Sequence, residues 1–284
     1  MGVREQLGER PDEMRLQDLT LEIPKPKNEE GFDLNKNITE DNVEGLKREL
    51  ATLRGLGHWG NYTRGVAEFK NLFPECIGEI DFDEKEILDG IKGELEKYRS
   101  DHSGRGWSFF IRSVYAFKML FPDKINELDL SSEDWQRMRG RTLHQHRDKS
   151  HHLAMQMRVT SPVDAKDPYS GDLTAEEVKE VLDSKKENEE WQDYIKEAVC
   201  FRVLFPKKFN ELQFDNEIWS EMRNVFYKQQ KSNIMSATFR SAFFLKVLAA
   251  KEVKITDQGL ELIMSEKESF QQTTPPRPER KELN

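Results

Sequence analysis

Apolar residues recur along this chain in a pattern that repeats five times. Its anchor is the string Phe-Lys-x-Leu-Phe-Pro at residues 69–74, 117–122 and, with Arg202 for the lysine, 201–206. A degenerate copy occupies residues 157–162, and a fifth copy without its proline occupies 245–249. Apolar side chains stand four positions before the basic residue (Val66, Val114, Ala154, Ala198, Ala242) and one before it (Phe69, Phe117, Met157, Phe201, Leu245). In four copies another stands two after it, at Leu72, Leu120, Leu204 and Leu248. These intervals draw a broad apolar arc at helical period, so each string closes a helix, here called helix A. The proline cannot continue that helix and pushes its predecessor out of the α region, which ends it.

A second helix, helix B, is announced by its cap. Thr39, Asp83, Ser131, Thr174, Asp215 and Thr256 carry side-chain oxygens that can accept an otherwise unpaired amide N–H. Each follows an apolar residue (Ile38, Phe82, Leu130, Leu173, Phe214, Ile255) and precedes another by four positions (Val43, Ile87, Trp135, Val178, Trp219, Leu260). That pairing is the hydrophobic staple of a helix start. The reading is one B helix followed by five A–B units. Trp59, Trp107 and Trp191 share one repeat position at the start of helix A, while Trp135 and Trp219 share the staple position. Recurrence in register assigns all five to packing niches between helices.

A period of roughly 40–48 residues is that of stacked helical repeats. The expected fold is all-α: an α-solenoid of about five tandem helix pairs with disordered termini. Residues 1–30 form a mobile N-terminal segment, 31–267 the helical-repeat domain, and 268–284 a Pro-containing tail with a P-x-x-P pattern at Pro275 to Pro278. In period and helix pairing, residues 38–267 resemble HEAT or armadillo repeats. The string, with N-E-L and W-x-x-M, also resembles tandem repeats of uncharacterised bacterial proteins. Neither resemblance carries a motif that assigns a function.

Charged residues make up 34% of the chain and hydrophobic ones only 36%, which suits an elongated stack with much surface. A net charge of −9 argues against wholesale coating of nucleic acid or anionic membrane. Cys76 and Cys200 form neither a disulfide framework nor a metal-ligand spacing. No apolar run is free of charge for the length of a bilayer, so a cytoplasmic monomer is expected, with no membrane partner.

Three sets of charges stand out. The string's basic residue lies inside the apolar arc, so it needs a partner, and an acid follows nine residues later in four copies. The expected structural ion pairs are Lys70 with Glu79, Lys118 with Glu127, Arg158 with Asp167 and Arg202 with Glu211. Lys246 lacks the acid, which fits a capping repeat. Six residues before the string position lies a second cation row: Arg64, Arg112, His152, Lys196 and Arg240. About 120° from the first set, it falls at the edge of the polar face, either paired with acids of neighbouring B helices or free for a ligand. The third set is the basic window 137–158, with Arg137, Arg139, Arg141 and Arg147 beside His144, His146, His151 and His152. It abuts the degenerate repeat, where departures from the pattern tend to place binding residues.

No metal, cofactor or catalytic residue is expected. His144 and His146 diverge by about 200° on a helix, and no cysteine is near them. Residues 166–177 have the length of a calcium loop but put Lys166 and Pro168 at ligand positions. No P-loop, G-x-S-x-G or H-E-x-x-H occurs. The sequence therefore points to a non-catalytic scaffold for another protein. The second reading is a nucleic-acid or anionic-ligand binder using 137–158 and the cation row.

Overall fold

Proline and staple do what the pattern requires. In this computed structural model the described residues are 37–101, 105–147, 151–161, 174–209, 212, 214–232 and 234–264. The expected N-terminal segment and Pro-containing tail lie outside them. The B helices are α1 (Glu40–Gly55), α3 (Glu84–Ser100), α5 (Ser132–Arg147), α7 (Ala175–Glu187) and α9 (Asn216–Lys231). The A helices are α2 (Trp59–Leu72), α4 (Arg105–Leu120), α6 (His152–Thr160), α8 (Trp191–Leu204) and α10 (Met235–Ala249). Thr39, Asp83, Thr174 and Asp215 accept the amide N–H three residues on, and Asp134 N–H donates to Ser131 Oγ at 3.1 Å. Five of the six staples are thus helix starts.

The sixth is not. Thr256 ends strand β1 (Glu252–Thr256), which pairs antiparallel with β2 (Gly259–Ile263), Thr256 opposite Gly259. Val253 and Leu260 are buried while Glu252, Lys254 and Glu261 point outward, a period of two that β-branched residues favour. The Asp257-Gln258 turn is relieved by Gly259, whose φ of +87° a larger residue would resist.

The A helices pack side by side in chain order, α2 on α4, α4 on α6, α6 on α8 and α8 on α10. The series then closes, because α10 packs on α2. Phe239 of α10 meets Phe69 and Phe73 at ring-centroid distances of 5.9 and 6.4 Å. The B helices form the outer layer: α1 lies between α10 and α2, α3 between α2 and α4, α5 between α4 and α6, and α9 between α8 and α10, while α7 packs on α8. An elongated stack with solvent at both ends is therefore corrected to a five-membered ring of helix pairs. The hairpin lies over the C-terminal ends of α4, α6 and α8.

The string's basic residue has a different partner from the expected acid. Lys70 Nζ donates to Leu120 O at 2.7 Å, the end of the next inner helix. Lys246 Nζ reaches Asn71 O and Leu72 O at 2.7 and 3.3 Å, and Arg202 donates to Ala250 O. Lys118 donates to Pro122 O and to Asp257 O in the hairpin turn. Helix C-termini leave four carbonyls without intrahelical partners and carry partial negative charge, so a cation there satisfies both. The pairs Lys70–Glu79 and Lys118–Glu127 do not form: Glu79 faces Lys47 at 3.6 Å, and Glu127 is exposed. Asp167 and Glu211 lie outside the described residues. Nor is Lys246 a capping-repeat leftover; it joins the last repeat to the first. Burial holds the pKa of Lys70, Lys118, Lys246 and Arg202 below their ordinary values. Accordingly Glu127→Gln should leave the denaturation midpoint within the scatter of a neutral surface change, about 0.5 kcal/mol. Lys246→Met, which strands two carbonyls, should cost about 1–3 kcal/mol in the same urea titration.

Candidate functional site in the ring lumen

Five helices about 8–10 Å apart around one axis leave a channel only ~2–3 Å in radius once each helix's own width is subtracted. Side chains fill such a channel unless the wall is lowered or the residues are small. Both occur here, the first at the N-terminal end of the inner helices and the second further along them. Helix α6 begins six residues before its string position, whereas α2, α8 and α10 begin eleven before theirs. The wall is thus lower there by about one and a half turns, or ~7.5 Å. Ala67 and Ala116 line the space beside it, and a cavity of about 410 Å³ results.

All five members of the cation row, Arg64, Arg112, His152, Lys196 and Arg240, line this cavity. The row expected at the edge of the polar face is a crown around an opening, because a row on a closed ring curves back on itself. Their partners are not acids of the B helices either. Arg240 Nε donates to Glu68 Oε1 at 3.0 Å, and Arg64 Nε lies 3.9 Å from the same oxygen. Arg64 Nη2 also donates to Asn61 Oδ1 at 2.8 Å, and Lys196 pairs with Asp193 at 2.7 Å. Among the described residues Arg112 has no carboxylate partner; its guanidinium lies 5.5 Å from the Phe109 ring centroid. Two guanidiniums therefore share the Glu68 carboxylate, and Arg112 stands beside them as a third. Burial, then Arg240 and Arg112, lower the Arg64 pKa to about 10, and Arg112 is lowered by burial, then by Arg240 and Arg141. Both remain cationic at neutral pH.

Five buried polar atoms on this lining have no hydrogen-bond partner: Arg64 Nε, Arg112 Nε, His152 Nδ1, Glu68 Oε2 and Gln156 Oε1. Buried polar groups are nearly always paired, so such a cluster at one cavity is a mark of a binding site. His152 Nε2 lies 3.0 Å from Gln156 Nε2; with the amide donating, the ring proton sits on the unpartnered Nδ1. Burial, then Arg112, Arg64, Arg240 and Lys196, press the His152 pKa down to about 3. An unfolded chain takes up this proton as pH falls through about 6.5, and the folded chain does not until about 3. The unfolded state binds more protons in that window, so stability falls with pH by up to ~1.4 kcal/mol per unit. His152→Gln should flatten the fall in melting temperature between those two pH values; an unchanged slope would assign it to other groups.

One turn on from Arg112 and Arg240 the lining becomes largely apolar. Phe243 and Phe244 of α10 stand there, the latter 6.4 Å from the His152 ring, with Tyr115 and Met119 of α4. Burial raises the Tyr115 pKa above its ordinary value, so its hydroxyl stays protonated. Glu197 is buried beside the cavity and takes the His151 ring, Nδ1 to Oε2 at 2.9 Å, tying α8 to the start of α6.

The basic window divides. Arg141 approaches the crown closely enough to lower the Arg112 pKa, and its Nε donates to Ser108 Oγ at 2.8 Å. Arg137 pairs with Glu133 at 2.6 Å and lies over Trp107, and Arg139 is exposed. The side chains of His144, His146 and Arg147 lie outside the described residues. Repeat register could have found two residues that sequence reasoning passed over. Two positions before the basic residue, Ala116, Cys200 and Phe244 are apolar or small, and only Glu68 and Gln156 break that pattern. Among the described residues no cluster of His, Cys, Asp and Glu has metal-ligand geometry, and no helix is long and apolar enough to cross a membrane. Comparison with protein-family models, with curated proteins and with solved structures finds no match.

Proposed function

We propose that this protein is a non-catalytic receptor for a small anionic molecule, held in the lumen by Arg64, Arg112 and Arg240. The observation that carries the reading is the charge arrangement: Arg64 and Arg240 share Glu68, Arg112 beside them meets no carboxylate among the described residues, and the Nε groups of Arg64 and Arg112 are buried without an acceptor. An anion supplies acceptors and relieves the mutual repulsion at one stroke. The cavity volume lies at the low end for small-molecule sites. A binding role suits the protonation states, since His152 is neutral at pH 7 and the guanidiniums do not exchange protons there.

The protein-scaffold role rested on an open concave groove. With the first and last repeats in contact, that face is the lumen wall. The anion reading is therefore the better supported, in small-molecule form, because the hairpin lies over the far end of the inner helices. A monomer suffices, every wall coming from one chain. Two buried free thiols, Cys76 and Cys200, suit the cytoplasm. Kinship with HEAT or armadillo repeats is supported by the helix pairing alone.

Thermal melts in inorganic phosphate test the reading. At constant ionic strength, phosphate at about a hundred times its Kd should stabilise the fold by ~2.7 kcal/mol. A melting temperature unmoved by phosphate and by sulfate contradicts it.

A further inference from the structure

The crown alone does not account for the cavity. Two of its unpartnered buried atoms, Glu68 Oε2 and Gln156 Oε1, are acceptors, and Gln156 is only 1% exposed. Sulfate, which has no donor, cannot satisfy them, and inorganic phosphate bound among the guanidiniums offers only its own hydroxyl; a molecule with further hydroxyl or N–H groups can satisfy both. Over the whole lining Arg64, Arg112, Arg240, Lys185 and Lys196 outnumber the carboxylates Glu68, Asp193 and Glu197 by two formal positive charges, which matches a dianion better than a monocarboxylate. On the same lining Phe243 and Phe244, their ring centroids 6.2 Å apart and their planes inclined at 46°, give with Met119 apolar area against which a flat ring can pack. Head-group, donor and stacking requirements thus meet within one cavity of about 410 Å³.

On the anion-receptor reading given above, we propose that the ligand is a phosphomonoester dianion whose organic part carries a flat ring and hydrogen-bond donors. This is the chemistry of a nucleoside monophosphate. The phosphate sits among Arg64, Arg112 and Arg240. The ring lies against Phe243 and Phe244, and a hydroxyl or N–H donates to Glu68 Oε2 or Gln156 Oε1. Site size argues for one such unit rather than a strand.

Calorimetric titration of the full chain compares four probes at one ionic strength: adenosine 5′-monophosphate, ribose 5-phosphate, adenosine and inorganic phosphate. The expected result is that the nucleotide binds at least tenfold more tightly than each of the other three. Inorganic phosphate or ribose 5-phosphate binding as tightly as the nucleotide overturns this inference while leaving the anion site standing. Adenosine binding as tightly as the nucleotide overturns the dianion requirement. Failure of all four to bind overturns both this inference and the receptor reading beneath it. These comparisons use the unaltered protein, so none depends on a variant folding. Gln156→Met adds a second arm: it should weaken the nucleotide severalfold and leave inorganic phosphate unchanged, and equal losses for both would remove the acceptor's assigned role.

Discussion

Phe239→Ala should cost about 3–5 kcal/mol and loosen the first and last repeats together. Phe239 is fully buried on α10, against Phe69 of α2 and Phe73 just past its end, and its loss opens a cavity at the seam where the ring closes. In an open stack each repeat touches only its neighbours, and damage at one end stays there. Here the amides of α2 and α10 should lose hydrogen-exchange protection to the same extent, although 170 positions separate Phe239 from Phe69. Lys246, donating to the end of α2, and Arg240, donating to Glu68, cross the same seam. The unaltered protein should unfold in one cooperative transition. Loss of protection confined to α10 and its outer partner would mean that the α10–α2 contact contributes little.

Arg112→Met has the opposite expected signature, a more stable protein that no longer binds. Among the described residues Arg112 has no carboxylate partner, its Nε is buried without an acceptor, and it stands among like charges. Replacing such a group by an apolar one of similar length removes desolvation and repulsion, a gain of about 1 kcal/mol after its contact with Phe109 is lost. Phosphate affinity should meanwhile fall roughly ten- to a hundredfold, the worth of about 1.5–3 kcal/mol for a hydrogen bond to a charged group. Urea titration reads the first effect and calorimetry the second. A destabilised variant that keeps its affinity would make Arg112 a structural residue and leave the crown without a purpose. Stability given up at a group whose partner is not part of the fold is the thermodynamic mark of a binding residue.

How much of this was legible in the sequence follows from how local each feature is. Thr39, Asp83, Ser131, Thr174 and Asp215 act within four residues of themselves, so their caps could be read directly. The same rule misreads Ile255, Thr256 and Leu260, because apolar positions five residues apart also face each other across a hairpin with a two-residue turn. Alternation at Val253 and Ile255 was the competing signal. The string cations were rightly placed near the core, yet they were matched to acids because only side chains are written in a sequence. Leu120 O and Leu72 O are acceptors that every residue type provides. The cation row was found whole but given the wrong shape. Closure needs a turn of about 72° per repeat, accumulated over five repeats, and that small angle has no local signature. The degenerate repeat was flagged as a place where binding could occur, and its short helix α6 does lower the lumen wall.

Ring closure also changes what gene duplication can do to such a chain. In an open stack a duplicated helix pair adds length and leaves the existing surface intact. In a ring it has no end to extend. It must enter the circle, move every inner helix outward from the axis and enlarge the bore. Arg64 and Arg240 would then stand too far apart to share Glu68, and the three guanidiniums too far apart to hold one ligand. The count of repeats is thus a calibre, and selection on the ligand would hold it fixed.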